Sequence, residues 1–117
     1  MSLQSLGRTG EQYAVEYLLK LGYSILEQNF RIRMGELDII AEKNKIIYFC
    51  EVKTRLGDSH GKPYEAVDFR KMSHIRRVAE AYVLQNKLKN SKLSIQVISI
   101  ILYPDMTVKE LKMYEVV

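Results

Sequence analysis

Cysteine occurs once in this 117-residue chain, proline twice and glycine six times, and no apolar run approaches the roughly 18 residues of a membrane span. Each scarcity excludes something. A lone Cys50 allows neither an internal disulfide nor a thiolate zinc site, and its setting in Ile47-Tyr48-Phe49-Cys50 marks it as a small core residue. So little proline and glycine leaves no low-complexity linker, repeat or disordered tail. The opening MSLQSLGRTGEQY has no apolar signal-peptide core, so a cytoplasmic location without membrane association is expected.

What is present suffices for one buried core. With 47 % hydrophobic residues, a single domain over residues 1–117 is expected. The net charge is +4, from 18 basic and 14 acidic side chains. If Glu11, Glu36, Asp38 and Glu51 belong to a site, ten acids remain against the 18 basic groups, a surround eight charges positive. A cation-dependent enzyme acting on phosphodiesters needs that pattern, because carboxylates hold the metal while Lys and Arg neutralise the substrate backbone.

The element order predicted is α-β-β-β-α-β-β, a mixed sheet flanked by helices in an α/β fold. Thr9-Gly10-Glu11-Gln12 fits a capping box, which predicts a helix over residues 10–21 with Ala14, Tyr17, Leu18 and Leu21 as its apolar stripe and Gly22 as its stop. A strand follows over 23–32. Residues 37–42 and 46–54 are β-branched and aromatic runs around Lys43-Asn44-Lys45, an antiparallel hairpin. Residues 55–62 read as a mobile loop, and Pro63 opens a helical turn. Asp68 caps a longer helix over 69–86, with Met72, Ile75, Ala79, Tyr82 and Val83 on one face. Residues 93–103 predict a strand buried on both sides, and 107–116 a last strand.

The hairpin carries the chemistry. With Asn44-Lys45 as a two-residue loop, Asp38 lies opposite Glu51 and Glu36 opposite Lys53, while Leu37, Ile39, Ala41, Tyr48, Cys50 and Val52 share the reverse, apolar face. Opposed residues have Cβ atoms about 5 Å apart, close enough for two carboxylates to clasp one cation. Oxygen-only ligation suits Mg²⁺ or Mn²⁺, with the Val52 carbonyl and the carboxylates of Glu11 and Glu36 as further candidate ligands. Lys53 is placed to orient water or to stabilise charge on a phosphate. Arg31, Arg33, Arg55, Lys62, Arg70 and Lys71 are candidate phosphate contacts and Tyr64 a candidate substrate contact, whereas His60 and His74 read as solvated. As a bland alternative, Asp38 and Glu51 form a solvated pair neutralised by nearby cations, and Glu11 is an acid favoured by the dipole of a first helical turn.

Gly10-Glu11 with Ala14, Tyr17-Leu18 and Gly22-Tyr23, then Asn29-Phe30-Arg31, Gly35-Glu36-Leu37-Asp38, Glu51-Val52-Lys53-Thr54-Arg55, Gly61-Lys62-Pro63, Glu65-Ala66-Val67 and Lys71 form a pattern that resembles the bacterial YraN-like family. The match runs over residues 10–82. That family resembles the Holliday junction resolvases of the PD-(D/E)XK nuclease superfamily, so the resemblance implies a restriction-endonuclease-like fold. It also implies Mg²⁺-dependent endonuclease activity, with Asp38 and Glu51 as metal ligands and Lys53 as the catalytic lysine; Glu11 and Glu36 match family positions. Its implied partner is DNA, branched or single-stranded, with RNA left open, and its implied assembly is a homodimer. One departure stands out: relatives usually show Arg-Phe-Asp before the penultimate apolar run, where this chain has Ser94-Ile95-Gln96. The alternative function is a non-catalytic nucleic-acid-binding accessory module on the same scaffold.

Overall fold

The computed structural model describes residues 3–57, 69–88 and 91–116. Its elements are α1 (Leu3–Lys20), β1 (Ser24–Ile32), β2 (Gly35–Lys43), β3 (Ile46–Leu56), α2 (Phe69–Gln85), β4 (Lys92–Leu102) and β5 (Val108–Glu115), the α-β-β-β-α-β-β order that the sequence predicts. The five strands form one sheet in the order β1-β2-β3-β4-β5. Only β3 and β4 run parallel, and the crossover that a parallel pair requires passes through α2; the other neighbours are antiparallel.

Each helix covers one face. On α1, Ala14 and Leu18 pack against Ile39, Ala41, Cys50, Ile98, Ile100 and Leu102. On α2, Ile75, Val78, Ala79 and Tyr82 recur at helical spacing and pack against Leu37, Ile40, Ile47, Phe49 and Ile95. Tyr82 also meets the rings of Phe30 and Phe49 edge-on, at 5.2 and 6.1 Å between centroids. Strand β4 lies between the two layers. Residues 94–102 are all buried, as their density in Ile and Val predicts, with Ser94, Gln96 and Ser99 as the buried polar members, while Lys92 and Leu93 are exposed.

Two expectations about α1 are corrected. The helix starts at Leu3, so Thr9 and Gly10 lie inside it and do not cap it. A mid-helix glycine costs about 1 kcal/mol relative to alanine, and Gly10 has a packing reason to be there. A Cβ at this position would overlap Thr54 Oγ1 and lie 2.8 Å from Thr54 Cβ, so the missing side chain lets α1 approach β3 closely. Leu21 falls beyond the last turn and is exposed. The predicted stop holds: Gly22 takes φ 91°, and the Tyr23 N–H donates to the Leu18 carbonyl at 3.0 Å, closing a Schellman turn. The expected turn at Pro63 and cap at Asp68 lie outside the described residues, as does His60. His74 is exposed on α2.

Candidate metal centre

The β2–β3 hairpin turns through Asn44 and Lys45 at φ 52° and 66°, the left-handed pair that a two-residue loop needs. The predicted register then runs from Lys43 opposite Ile46 to Ile39 opposite Cys50. There the ladder stops. If it continued, the Val52 N–H would donate to the carbonyl of Leu37. It donates instead to Asp38 Oδ2 at 2.7 Å. A carboxylate has taken the place of backbone, and the two strands part beside it.

A change of face accompanies the break and corrects the expected alternation. Leu37 packs with Ile40 and Phe49 toward α2, whereas Ile39 and Ala41 pack toward α1. The slip falls on Asp38, turning its side chain toward the β3 backbone rather than to either face. Glu51 follows Phe49 on the α2 side with only 8 % of its side chain exposed. Asp38 and Glu51 therefore meet at the parting of the strands and not as ladder partners. Glu36 is opposite Arg31 on β1 and pairs with it at 2.8 Å, so the expected partnership with Lys53 is also corrected.

The close seat of Gly10 on Thr54 brings the next residue, Glu11, to the same place. Its carboxyl lies within hydrogen-bonding reach of Asp38. Because α1 begins at Leu3, Glu11 is not in the first turn, and the helix dipole no longer accounts for it. Asn29 joins Glu11 to Glu36. With its nitrogen toward the acids, the orientation that sets donor against acceptor, its amide donates to Glu11 Oε1 at 3.3 Å and Glu36 Oε1 at 3.1 Å. Its backbone is at φ 53° inside β1, a conformation that asparagine tolerates better than most residues.

Positive charge is distributed unevenly over the acids, on Glu51 rather than on Asp38. Burial, then Glu11 and Glu36, push the Asp38 carboxyl up to about 7, against the opposing pull of the Val52 N–H. Burial and Asp38 raise Glu51 as well, opposed by Lys71 and Lys53. The ammonium groups of Lys53 and Lys71 lie 3.6 and 3.4 Å from the same atom, Glu51 Oε1. Carboxylates that resist ionisation, one buried and one partly buried, fit a hard divalent cation, which would relieve their repulsion. Among the described residues no three Asp, Glu, His or Cys side chains converge tightly enough to hold an ion. Two carboxylates, a carbonyl and water are therefore the donor set available. Burial, followed by Asp38, pushes the Cys50 thiol up to about 12, which rules it out as a nucleophile at neutral pH.

The profile of Uncharacterised protein family UPF0102 matches residues 10–100. The chain belongs to family UPF0102, the YraN family that its motifs resemble. It is similar to UPF0102 proteins of Caldicellulosiruptor saccharolyticus (45 % identity, 86 % of this chain and 85 % of the relative) and Caldicellulosiruptor bescii (52 %, 71 % and 70 %). A third, from Dictyoglomus turgidum, is 40 % identical over 89 % of this chain and 88 % of the relative.

On this UPF0102 chain the remaining predicted cations are spread around the acids. Arg31, although paired with Glu36, keeps 75 % of its side chain exposed. Arg33 is exposed in the β1–β2 turn, and Arg55 is partly buried two residues beyond Lys53. Lys71, expected at a phosphate, contacts Glu51 instead. Lys62, Tyr64 and the side chain of Arg70 lie outside the described residues. Ser94 and Gln96 bond to each other at 2.7 Å and are in register with Tyr48 and Cys50, on the α1 face. Ser94 and Gln96 thus lie across the sheet from Glu51 and Lys53. Asn29 and the Lys71–Glu51 contact went unassigned in the sequence because both join residues far apart in the chain; only the occurrence of Asn29 beside Phe30-Arg31 in the motif pattern pointed to the first. Among the described residues, no helix is long and apolar enough to cross a membrane.

Proposed function

We propose that this protein is a divalent-cation-dependent endonuclease that hydrolyses phosphodiester bonds in branched or single-stranded DNA. The observation that carries the proposal is the meeting of Asp38 and Glu51 where the β2–β3 ladder breaks, with a lysine on Glu51. Asp38, Glu51 and the Val52 carbonyl would hold Mg²⁺ or Mn²⁺, with Glu11 and Glu36 flanking. Such a cation supplies charge neutralisation and polarises the phosphodiester.

The remaining work belongs to the chain. The Val52 N–H fixes the direction of the Asp38 carboxylate. Asn29 keeps Glu11 and Glu36 side by side. Lys53, with 27 % of its side chain exposed, is close enough to Glu51 to orient an attacking water or to neutralise charge building on a phosphate oxygen. Arg31, Arg33 and Arg55 would position the backbone without reading its sequence.

The test is a cleavage screen on end-labelled flap, junction, nicked and single-stranded DNA and matched RNA, in Mg²⁺ and in EDTA. The expected result is Mg²⁺-dependent cleavage of DNA, reduced about 10²- to 10³-fold in Lys53→Met, with DNA affinity little changed. Salt-sensitive binding without cleavage of any substrate would leave the accessory-module function in its place.

A further inference from the structure

We propose that Lys71 is the resident counter-charge of Glu51, which a divalent cation must displace and which is thereby released toward the substrate phosphate. The inference rests on the proposed cation site at Asp38 and Glu51. Its basis is the crowding at one atom, where Lys71 Nζ at 3.4 Å and Lys53 Nζ at 3.6 Å both address Glu51 Oε1. A third cation at an oxygen already paired with two ammonium groups competes with them, because like charges repel at such distances and the repulsion favours pushing one of them away. Lys53 is the less movable of the two. It shares a strand with Glu51, two residues along and on the same face, and is 27 % exposed. Lys71 reaches in from a separate element, α2, which is anchored by Ile75 and Val78, and its side chain is 39 % exposed.

Displacement has a direction. A lysine that neutralises Glu51 keeps a buried carboxylate tolerable in the cation-free protein, and it weakens cation binding by the same interaction. Once displaced from Glu51, it remains beside the acids on a side chain that is 39 % exposed, where a phosphodiester would arrive. Lys71 is thus distinct from the arginines around the site, which would meet phosphate with or without a cation.

The experiment compares the wild type with Lys71→Met, Lys71→Arg and Arg77→Met, the last an exposed cation on the same helix. Methionine and lysine have similar helix propensities, so Lys71→Met is expected to fold. Calorimetric titration with Mn²⁺, without DNA, should show Lys71→Met binding on the order of three- to tenfold more tightly than the wild type. Lys71→Arg and Arg77→Met should keep wild-type affinity. On a DNA that the wild type cuts, kcat of Lys71→Met should fall on the order of tenfold or more with KM little changed. Unchanged or weaker Mn²⁺ binding by Lys71→Met overturns the proposal whether or not DNA is cut. Tighter binding by Lys71→Met, in a protein whose wild type cuts nothing, supports Lys71 as the counter-charge and counts against the nuclease function alone.

Discussion

Asp38→Asn should abolish cation-dependent cleavage, by a factor on the order of 10³ or more, while making the cation-free protein more stable at pH 8. Both effects come from one group. Asparagine has the shape of aspartate and its Oδ1 can accept the Val52 N–H, so the join between β2 and β3 is retained. It carries no charge, and so it removes the cost of burial and the repulsion by Glu11 and Glu36 that together push the Asp38 carboxyl up to about 7. Ionising a buried acid costs about 1.4 kcal/mol for each unit by which its pKa exceeds the unfolded value. At pH 8 the wild type bears that cost and Asp38→Asn does not. A residue that weakens the resting fold and that, among the described residues, has no partner requiring its charge supports the proposed cation-binding role. Melting curves of the two proteins in EDTA, beside cleavage assays in Mg²⁺, check both halves. An Asp38→Asn protein that is less stable at pH 8, or that still cleaves, would contradict the assignment.

Gly10→Ala should destabilise the protein, although helix propensity alone predicts a gain of about 1 kcal/mol. The new Cβ would overlap Thr54 Oγ1 and approach Thr54 Cβ and Cγ2 to 2.8 Å. The Thr54 Cβ is fixed to the β3 backbone and cannot swing away, so the helix itself must move. Overpacking of this kind costs about 1–3 kcal/mol, more than the propensity gain. The movement would also carry Glu11 away from Asp38, so cleavage should fall along with stability. Thr54→Gly removes all three obstructing atoms, and the double variant should recover more stability than the single effects predict when added. Urea melts of the four proteins measure the coupling. If Gly10→Ala is as stable as the wild type, close docking of α1 is not what requires glycine here.

Much of the sheet was legible because local rules and burial agree there. The Asn44-Lys45 loop fixes the hairpin register, and the Ile- and Val-rich stretch of β4 fixes its place between two layers. The break at Asp38 was not legible, because alternation assumes an unbroken ladder and nothing in Leu37-Asp38-Ile39 shows that a side chain will accept a backbone N–H. Thr9-Gly10 looked like a helix start for a related reason. Glycine inside a helix is disfavoured locally, and what justifies it is Thr54, three elements further along the chain. The acids themselves were identifiable from type and spacing. Which lysine lies on which acid depended on α2 returning to the sheet, a contact that residue spacing does not encode.

On the proposed function, the partly buried Asp38 and the buried Glu51 are an acid pair that a divalent cation would relieve. The most direct measurement is the melting temperature across about pH 5.5 to 8.5, in EDTA and in Mg²⁺, for the wild type and Asp38→Asn. Because burial raises the Asp38 carboxyl from 3.8 to about 7, the folded state holds a proton that the unfolded state has already lost. That stabilisation is complete below pH 3.8 and declines as the pH rises to about 7. In EDTA the melting temperature should therefore fall by several degrees up to about pH 7 and then level off, at roughly 4 °C per kcal/mol. On the proposed function Mg²⁺ would bind the deprotonated pair, so it should reverse the slope and raise the melting temperature most above pH 7. Asp38→Asn should show neither the decline nor the Mg²⁺ effect. A wild-type curve that is the same with and without Mg²⁺ at every pH would contradict the claim.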